Sequence, residues 1–247
     1  MNVILLAGGF AKRMWPLTKN QPKHLLPVAG KPMLSYVLEK LEKSNVDTVY
    51  ISTNAKFKSH FQNFLDRYRK NSKVKIELII EDTLSEEEKL GSIGALGLII
   101  ESKALYDDLM IIGADNIFSF ELSDFIDYFE EKNASVIAVY DVKNLEMAKK
   151  YGIVKVDEND RIIEFVEKPE KPSSTLAATA CYILKRDDAL SILQYLSEGK
   201  PADRMGDFIS WLYKRSDIYA YKFSDYWFDI GSLEGLKMAD EFLSKKG

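Results

Sequence analysis

The sequence predicts an α/β protein: a three-layer α/β/α sandwich around a mainly parallel, mixed sheet. Three observations carry that expectation. Short β-branched runs alternate with longer amphipathic stretches through the first two-thirds of the chain, as βαβ units require. The strand-like runs are almost continuously apolar, the mark of strands covered on both faces. The chain has 247 residues, 46% of them hydrophobic, enough to bury a large core in one domain.

In order, the strand-like runs are Asn2–Ala7, Thr48–Thr53, Lys75–Ile80, Leu109–Gly113 and Ser135–Tyr140. Between them, helical patterns cover Met33–Ser44, Lys58–Arg69, Ser92–Ser102 and Leu122–Glu131. After Tyr151 the rhythm changes. Ile153–Val156 and Ile162–Phe165 flank the polar turn Asp157-Glu158-Asn159-Asp160 and read as a hairpin. A strand at Leu176–Leu184, two helical stretches, a strand at Ile218–Lys222 and a last helix at Leu233–Lys245 complete the order. No low-complexity linker and no repeat interrupts it, so residues 1–247 read as one domain, although the length would also fit two small ones. In a parallel sheet, ligands lie beyond the carboxyl ends of the strands, which draws attention to the loops after Ala7, Ile80, Ile112 and Phe165.

Composition narrows the function. A net charge of −4 gives no broad positive field for nucleic acid, while leaving room for a local basic site. The single cysteine, Cys181, has no intrachain partner and sits in an apolar run, where packing is its expected role. No apolar stretch approaches the roughly 18 residues of a membrane span, and no basic segment precedes Val3-Ile4-Leu5-Leu6. A cytoplasmic protein is expected.

The chemistry concentrates in Leu6-Ala7-Gly8-Gly9-Phe10-Ala11-Lys12-Arg13, continuing through Pro16-Leu17-Thr18 to Pro22-Lys23-His24-Leu25-Leu26-Pro27. Glycines directly after a strand let backbone N–H groups approach phosphate oxygens with no Cβ between. Arg13 adds a fork suited to two oxygens, and Lys23 a compact charge. A lone Gly-Gly would read as a plain turn. Neither a third glycine at dinucleotide-fold spacing nor the Gly-Lys-Ser/Thr of a P-loop follows, which weakens dehydrogenase and ATPase readings.

Gly8 to Val28 resembles the glycine-rich loop of the sugar-1-phosphate nucleotidyltransferases, including their uridylyl, thymidylyl and mannose-1-phosphate guanylyl branches. Gly-Gly, three residues, Arg13, then Pro-Leu-Thr, Pro-Lys and Leu-Pro stand in the family's order. The resemblance implies a Rossmann-like sheet of the nucleotide-diphospho-sugar transferase type and a nucleotide site at Leu6, Ala7, Gly8, Gly9, Arg13 and Lys23. Leu90-Gly91-Ser92-Ile93-Gly94 is similar to the family's base-reading element, which adds Gly91 and Ser92. Asp115 and Asp229 match the two ligands of a Mg²⁺ ion, a hard cation suited to one or two carboxylates plus phosphate oxygens. Gly152, Glu167 and Lys168 match the sugar-phosphate region. Many relatives carry Asn, a small residue and Gly before the aromatic at Tyr182; here Ala178 or Thr179 stands at the asparagine position, and Thr179 is the polar candidate. Arg13, Lys23, Asp115 and Lys168 would carry catalysis.

The implied reaction moves a nucleoside monophosphate from a nucleoside triphosphate to a sugar 1-phosphate. UTP or dTTP with glucose 1-phosphate is favoured, with GTP and mannose 1-phosphate as the alternative. A phosphocholine acceptor would use an aromatic cage, for which Tyr182, Tyr226 and Trp227 are candidates. A non-catalytic homologue fits less well, because Arg13, Lys23, Asp115, Lys168 and Asp229 are all present. The chain as read ends soon after its last helix, so no C-terminal β-helix domain is expected; a homo-oligomer stays open. Several residues also have plain structural readings. Asp115-Asn116 makes a turn, Asp229 or Ser232 caps the last helix, and Glu167-Lys168-Pro169 is a surface turn. Ser85–Lys89 is a solvated charge run, and Asp203, Arg204 and Asp207 cap a helix. His24 and His60 lack a partner for a catalytic triad, and Trp15, Trp211 and Trp227 read as packing residues.

Overall fold

The computed structural model describes residues 1–246. The apolar runs become strands and the amphipathic stretches become helices, in the order the sequence predicts. The first part comprises β1 (Asn2–Leu6), β2 (Pro27–Val28), β3 (Lys31–Pro32), α1 (Met33–Leu41), β4 (Thr48–Asn54), α2 (Lys58–Tyr68) and β5 (Lys75–Glu81). The middle holds α3 (Gly91–Lys103), β6 (Leu109–Gly113), β7 (Asn116–Phe118), α4 (Leu122–Lys132), β8 (Ser135–Asp141) and α5 (Leu145–Ala148). The last third holds β9 (Gly152–Val156), β10 (Ile162–Glu167), β11 (Leu176–Leu184), α6 (Arg186–Ser197), α7 (Met205–Leu212), β12 (Ile218–Phe223), β13 (Trp227–Asp229) and α8 (Leu233–Ser244). The pairs β2–β3 and β7–β13 are too short to show periodicity and were not foreseen.

The period of two along each central strand creates the three layers. Val3, Leu5, Val49, Ile51, Met110, Ile112, Val136 and Ala138 face α1, α2 and α4, where Leu34, Leu38, Phe61, Leu65 and Phe125 meet them. Their neighbours Ile4, Tyr50, Leu109, Ile111, Ile137 and Val139 face α3, α6 and α7, against Ile93, Ile99, Ile192, Phe208 and Ile209. Nearly all of these side chains are fully buried.

β1 is central, with β4 and then β5 parallel on one side and β6 parallel on the other. The chain therefore leaves β1 toward one edge and later returns on its opposite flank, which parts the loops at the carboxyl ends and opens a crevice there. β11 runs antiparallel to both β6 and β8, and β12 extends the sheet parallel to β8. The β9–β10 hairpin joins β11 at Ala177, below its pairing with β6. A smaller cluster ties the ends together: Ile230, Ala239 and Leu243 pack on Met14, Leu26, Val28 and Met33, so α8 braces the loop that follows β1. Among the described residues no helix is long and apolar enough to cross a membrane.

Candidate functional site

The crevice measures about 560 Å³, the size of a small-molecule site. Its walls come from the loops after β1 and β6, the start of α3, the β9–β10 hairpin, the segment before α7, and β13.

At its centre, cations and carboxylates meet. A single helical turn at Lys23–Leu25 aims the Lys23 ammonium at the Asp115 carboxylate, with the Ile230 carbonyl 3.4 Å away. Asn116 donates to Asp115 Oδ1 at 2.9 Å and accepts from Trp227 Nε1 at 2.7 Å. The β7–β13 ribbon sets Asp229 opposite Asn116, one residue from Asp115. Burial works against ionisation of Asp115, but Lys23 and its hydrogen bond prevail and hold the carboxyl below the usual range. Asp229 lacks such a bond. It opens to solvent along the crevice, yet protein encloses its other sides, and burial followed by the nearby Asp115 pushes it up to about 6. Lys23, Lys168 and Arg13 pull in the opposite direction. The field at this one carboxylate thus registers the other four predicted charges at once.

Toward one end lie Glu167 and Lys168. Lys168 adopts a left-handed backbone (φ 47°), which a non-glycine residue rarely does, and its N–H donates to the Tyr151 carbonyl at 3.0 Å. Glu167 lies under Gly152 and Gly206; a Cβ on Gly206 would stand 2.6 Å from its Cδ. Burial raises Glu167, with Lys168 and Arg204 opposing and Asp207 adding to the rise. Toward the other end, Glu81 closes β5 beside Gly8, where a Cβ would stand 2.9 Å from the Glu81 Cδ. Asn54 Nδ2 donates to the Gly8 carbonyl at 2.9 Å and so steadies the glycine pair.

The crevice gathers Leu6, Gly8, Gly9, Arg13, Lys23, Gly91, Ser92, Asp115, Gly152, Glu167, Lys168 and Asp229. It does not gather Ala7 or Thr179. Ala7 is buried in the core, its N–H bonded to Ser52 and its carbonyl near Thr53, because strand alternation turns it inward. Thr179 is fully buried and donates to the Ala138 carbonyl at 2.8 Å; Ala178 and Ala180, on the other face of β11, line the crevice in its place.

Other local expectations are refined or corrected. The charge run is solvated and forms a single helical turn, as expected, and its Glu86 and Lys89 also line the crevice: Lys12 pairs with Glu87 at 2.7 Å, and Lys89 with Glu86 and Asp203 at 2.9 Å each. Arg204 and Asp207 pair with each other at 3.2 Å and contribute no side-chain cap, while Arg204 faces the crevice. Ser232, not Asp229, caps α8, accepting from the Gly235 N–H. Tyr226 packs on Phe228 and Phe242, outside the crevice, so the proposed cage loses one wall. Trp227 lines the crevice as well as packing. Cys181 is buried, its thiol pushed up by burial, which fits a packing role. His24 borders the crevice, but burial and then Lys23 push it down to about 3, so it stays neutral and is unsuited as a base. Glu81 and Arg204 were missed. Glu81 had a signal, a carboxylate ending a strand whose loop was already of interest; Arg204 had only a helix start.

The chain matches the nucleotidyl transferase family over residues 2–246. It is 30% identical to the bifunctional protein GlmU of Methanocaldococcus jannaschii, over all of this chain and 55% of the relative. It is also 30% identical to a glucose-1-phosphate adenylyltransferase of Clostridium novyi, over 97% of this chain and 66% of the relative. The chain therefore spans about half to two-thirds of these curated relatives. Its fold superposes on a UDP-glucose pyrophosphorylase complexed with UDP-glucose at a TM-score of 0.82, with 26% identity, covering 100% of this chain and 99% of that one. The central charges, the three layers and the match along almost the whole length agree: the chain belongs to the nucleotidyl transferase family.

Proposed function

We propose that this protein joins a nucleoside monophosphate to a sugar 1-phosphate. An oxygen of the sugar phosphate attacks the α-phosphorus of a nucleoside triphosphate, the α–β bridging bond breaks, and pyrophosphate leaves with the electron pair. The observation that carries this reading is the convergence of Arg13, Lys23, Lys168, Asp115 and Asp229 on one crevice.

Two anionic reactants repel each other, so the protein's task is alignment and charge compensation. Gly8 and Gly9 offer unobstructed backbone to the triphosphate, and Arg13 and Lys23 offset charge on the α-phosphate and the departing pyrophosphate. Lys168 and Arg204 present the sugar phosphate, while Glu167 accepts hydrogen bonds from sugar hydroxyls. The attacking oxygen is already ionised near neutral pH, and a neutral His24 is consistent with a reaction that needs no general base.

The residues present fit a divalent cation. Asp229 is held toward its protonated form by burial and then by the neighbouring Asp115, and a cation between the two carboxylates would relieve their repulsion. A Mg²⁺ ion takes one or two protein carboxylates and completes its shell with waters and phosphate oxygens. Asp115 and Asp229 would hold Mg²⁺, whose bound form supplies a Lewis acid for the phosphate oxygens.

UTP or dTTP with glucose 1-phosphate is the reading from the sequence, and GTP with mannose 1-phosphate its alternative; relatives named for adenylyl and for UDP-sugar chemistry leave the family open on this point. The test is magnesium-dependent pyrophosphate release over the nucleoside triphosphates paired with glucose, mannose, galactose and N-acetylglucosamine 1-phosphates. Release with at least one pair supports the proposal. Silence across the matrix from folded, nucleotide-binding protein would sink it.

A further inference from the structure

One charged segment beside the crevice has no part in the transfer step. Residues 82–90 connect β5 to α3 and carry four carboxylates, Asp82, Glu86, Glu87 and Glu88, against one ammonium, Lys89. Thr83 anchors the segment: it is 3% exposed, and its carbonyl accepts from the Ala55 N–H at 3.1 Å. Beyond it the glutamates form a turn with no buried side chain.

The three glutamates are compensated in different ways. Glu86 shares Lys89 with Asp203, which ties the segment to the stretch before α7. Glu88 Oε2 accepts from the Leu84 N–H at 2.7 Å, inside the segment itself. Glu87 instead reaches across to Lys12, and among the described residues each is the other's only ionic partner. Lys12 also leads the influences that hold the Glu87 carboxyl down to about 2.

That last pair joins opposite roles. Lys12 and Arg13 follow the glycine pair and both line the crevice, whereas Glu87 does not. The cation next to a phosphate-binding residue is thus engaged by a carboxylate outside the site. Both side chains are exposed, 46% and 71%, and pairs of this kind are worth no more than about a fivefold factor in an equilibrium. The terminal phosphates of a nucleoside triphosphate offer Lys12 several charged oxygens, so the ammonium can change partner at little cost.

We propose that Glu87 is an autoinhibitory counter-ion: it occupies Lys12 while the donor site is empty, and the triphosphate takes Lys12 for its terminal phosphates and frees the 82–90 segment. The inference rests on the transfer reaction proposed above and concerns the regulation of its donor site.

Inorganic pyrophosphate in magnesium buffer probes the terminal-phosphate positions independently of the base. Its calorimetric titration into wild type, Glu87→Gln, Lys12→Ala and the double variant closes a double-mutant cycle. Both positions are exposed, so all four proteins should give the same circular dichroism spectrum. At low ionic strength pyrophosphate should bind Glu87→Gln about three- to fivefold more tightly than wild type, and Lys12→Ala about tenfold more weakly. In the Lys12→Ala background Glu87→Gln should change nothing, and added salt should shrink its gain in the wild-type background. Should pyrophosphate alone not bind, the tightest-binding nucleoside triphosphate takes its place in the cycle. An equal gain in both backgrounds makes Glu87 part of a general repulsive field and overturns the proposal, as does Glu87→Gln binding no tighter or Lys12→Ala binding like wild type. Failure of pyrophosphate and of every nucleoside triphosphate to bind the folded wild type overturns the transferase reading with it.

Discussion

Gly91 is the residue whose replacement is most closely determined by geometry. It opens α3 at φ 77°, a left-handed conformation that costs an L-residue about 1–2 kcal/mol. A Cβ there would also stand 2.5 Å from the Asp203 Cα and 2.8 Å from the Ala202 carbonyl carbon, both backbone atoms that cannot rotate away. To admit it, the segment before α7 must retreat, loosening the bonds from Ser92 N and Ile93 N to Asp203 and Ala202. Two such bonds add about 1–3 kcal/mol. Gly91→Ala should therefore destabilise the protein by about 2–5 kcal/mol, lowering the urea midpoint by about 1 M. Gly9 serves as the control. It has ordinary backbone angles and nothing within 4 Å of a would-be Cβ, so Gly9→Ala should leave the midpoint unchanged while weakening nucleotide binding. A Gly91→Ala midpoint within 0.2 M of wild type, a margin of roughly 0.5 kcal/mol, would refute the claim that α3 and the pre-α7 segment are locked together.

Arg13→Ala or Lys23→Ala should lower kcat/KM for pyrophosphate release at least about a hundredfold, near 3 kcal/mol, with an unchanged circular dichroism spectrum. Asp229, pushed up to about 6, destabilises the metal-free protein above that pH and ceases to do so as pH falls toward its unfolded value; Asp229→Asn should accordingly raise Tm in chelator at pH 8, with the gain shrinking at pH 5, while turnover collapses. A pH-independent difference in Tm would contradict that account. Thr179→Val, which removes the hydrogen bond to Ala138, should cost about 1 kcal/mol in unfolding titrations and leave KM for the sugar phosphate within twofold. Ala11 also sits in the left-handed region (φ 50°), so Ala11→Gly should hold or raise stability, by up to about 1 kcal/mol in the same titration.

Most of the fold was legible because its strands are covered on both faces, which writes them as uninterrupted apolar runs. Leu109–Gly113 and Leu176–Leu184 agree with the structure at both ends. The ribbon of β7 and β13 was not legible: three-residue strands carry no period, yet this pairing sets Asp229 beside Asp115. That Arg13, Lys23, Asp115, Lys168 and Asp229 would share one crevice was readable from their family-like order. Thr179 was misplaced because composition alone favours a polar residue for a sugar, whereas β11 changes register against β8 between Ala178 and Tyr182 and alternation decides which side chains face the ligand. Glu81 and Arg204 escaped for a different reason. Each acquires its position only when β5 meets the loop after β1, or the start of α7 meets the β9–β10 hairpin, and those are contacts between distant segments.

The two-sidedness of β11 separates recognition from folding along a single stretch of chain. Positions 178 and 180 can exchange alanine for larger or polar side chains at the expense of free volume in the crevice, while 179 and 181 continue to knit the sheet to its helices. The shape of the crevice wall can therefore change by single replacements at alternate positions without the interior having to be rebuilt, and the methyl groups now at those sites leave a small, smooth patch from which such change would start.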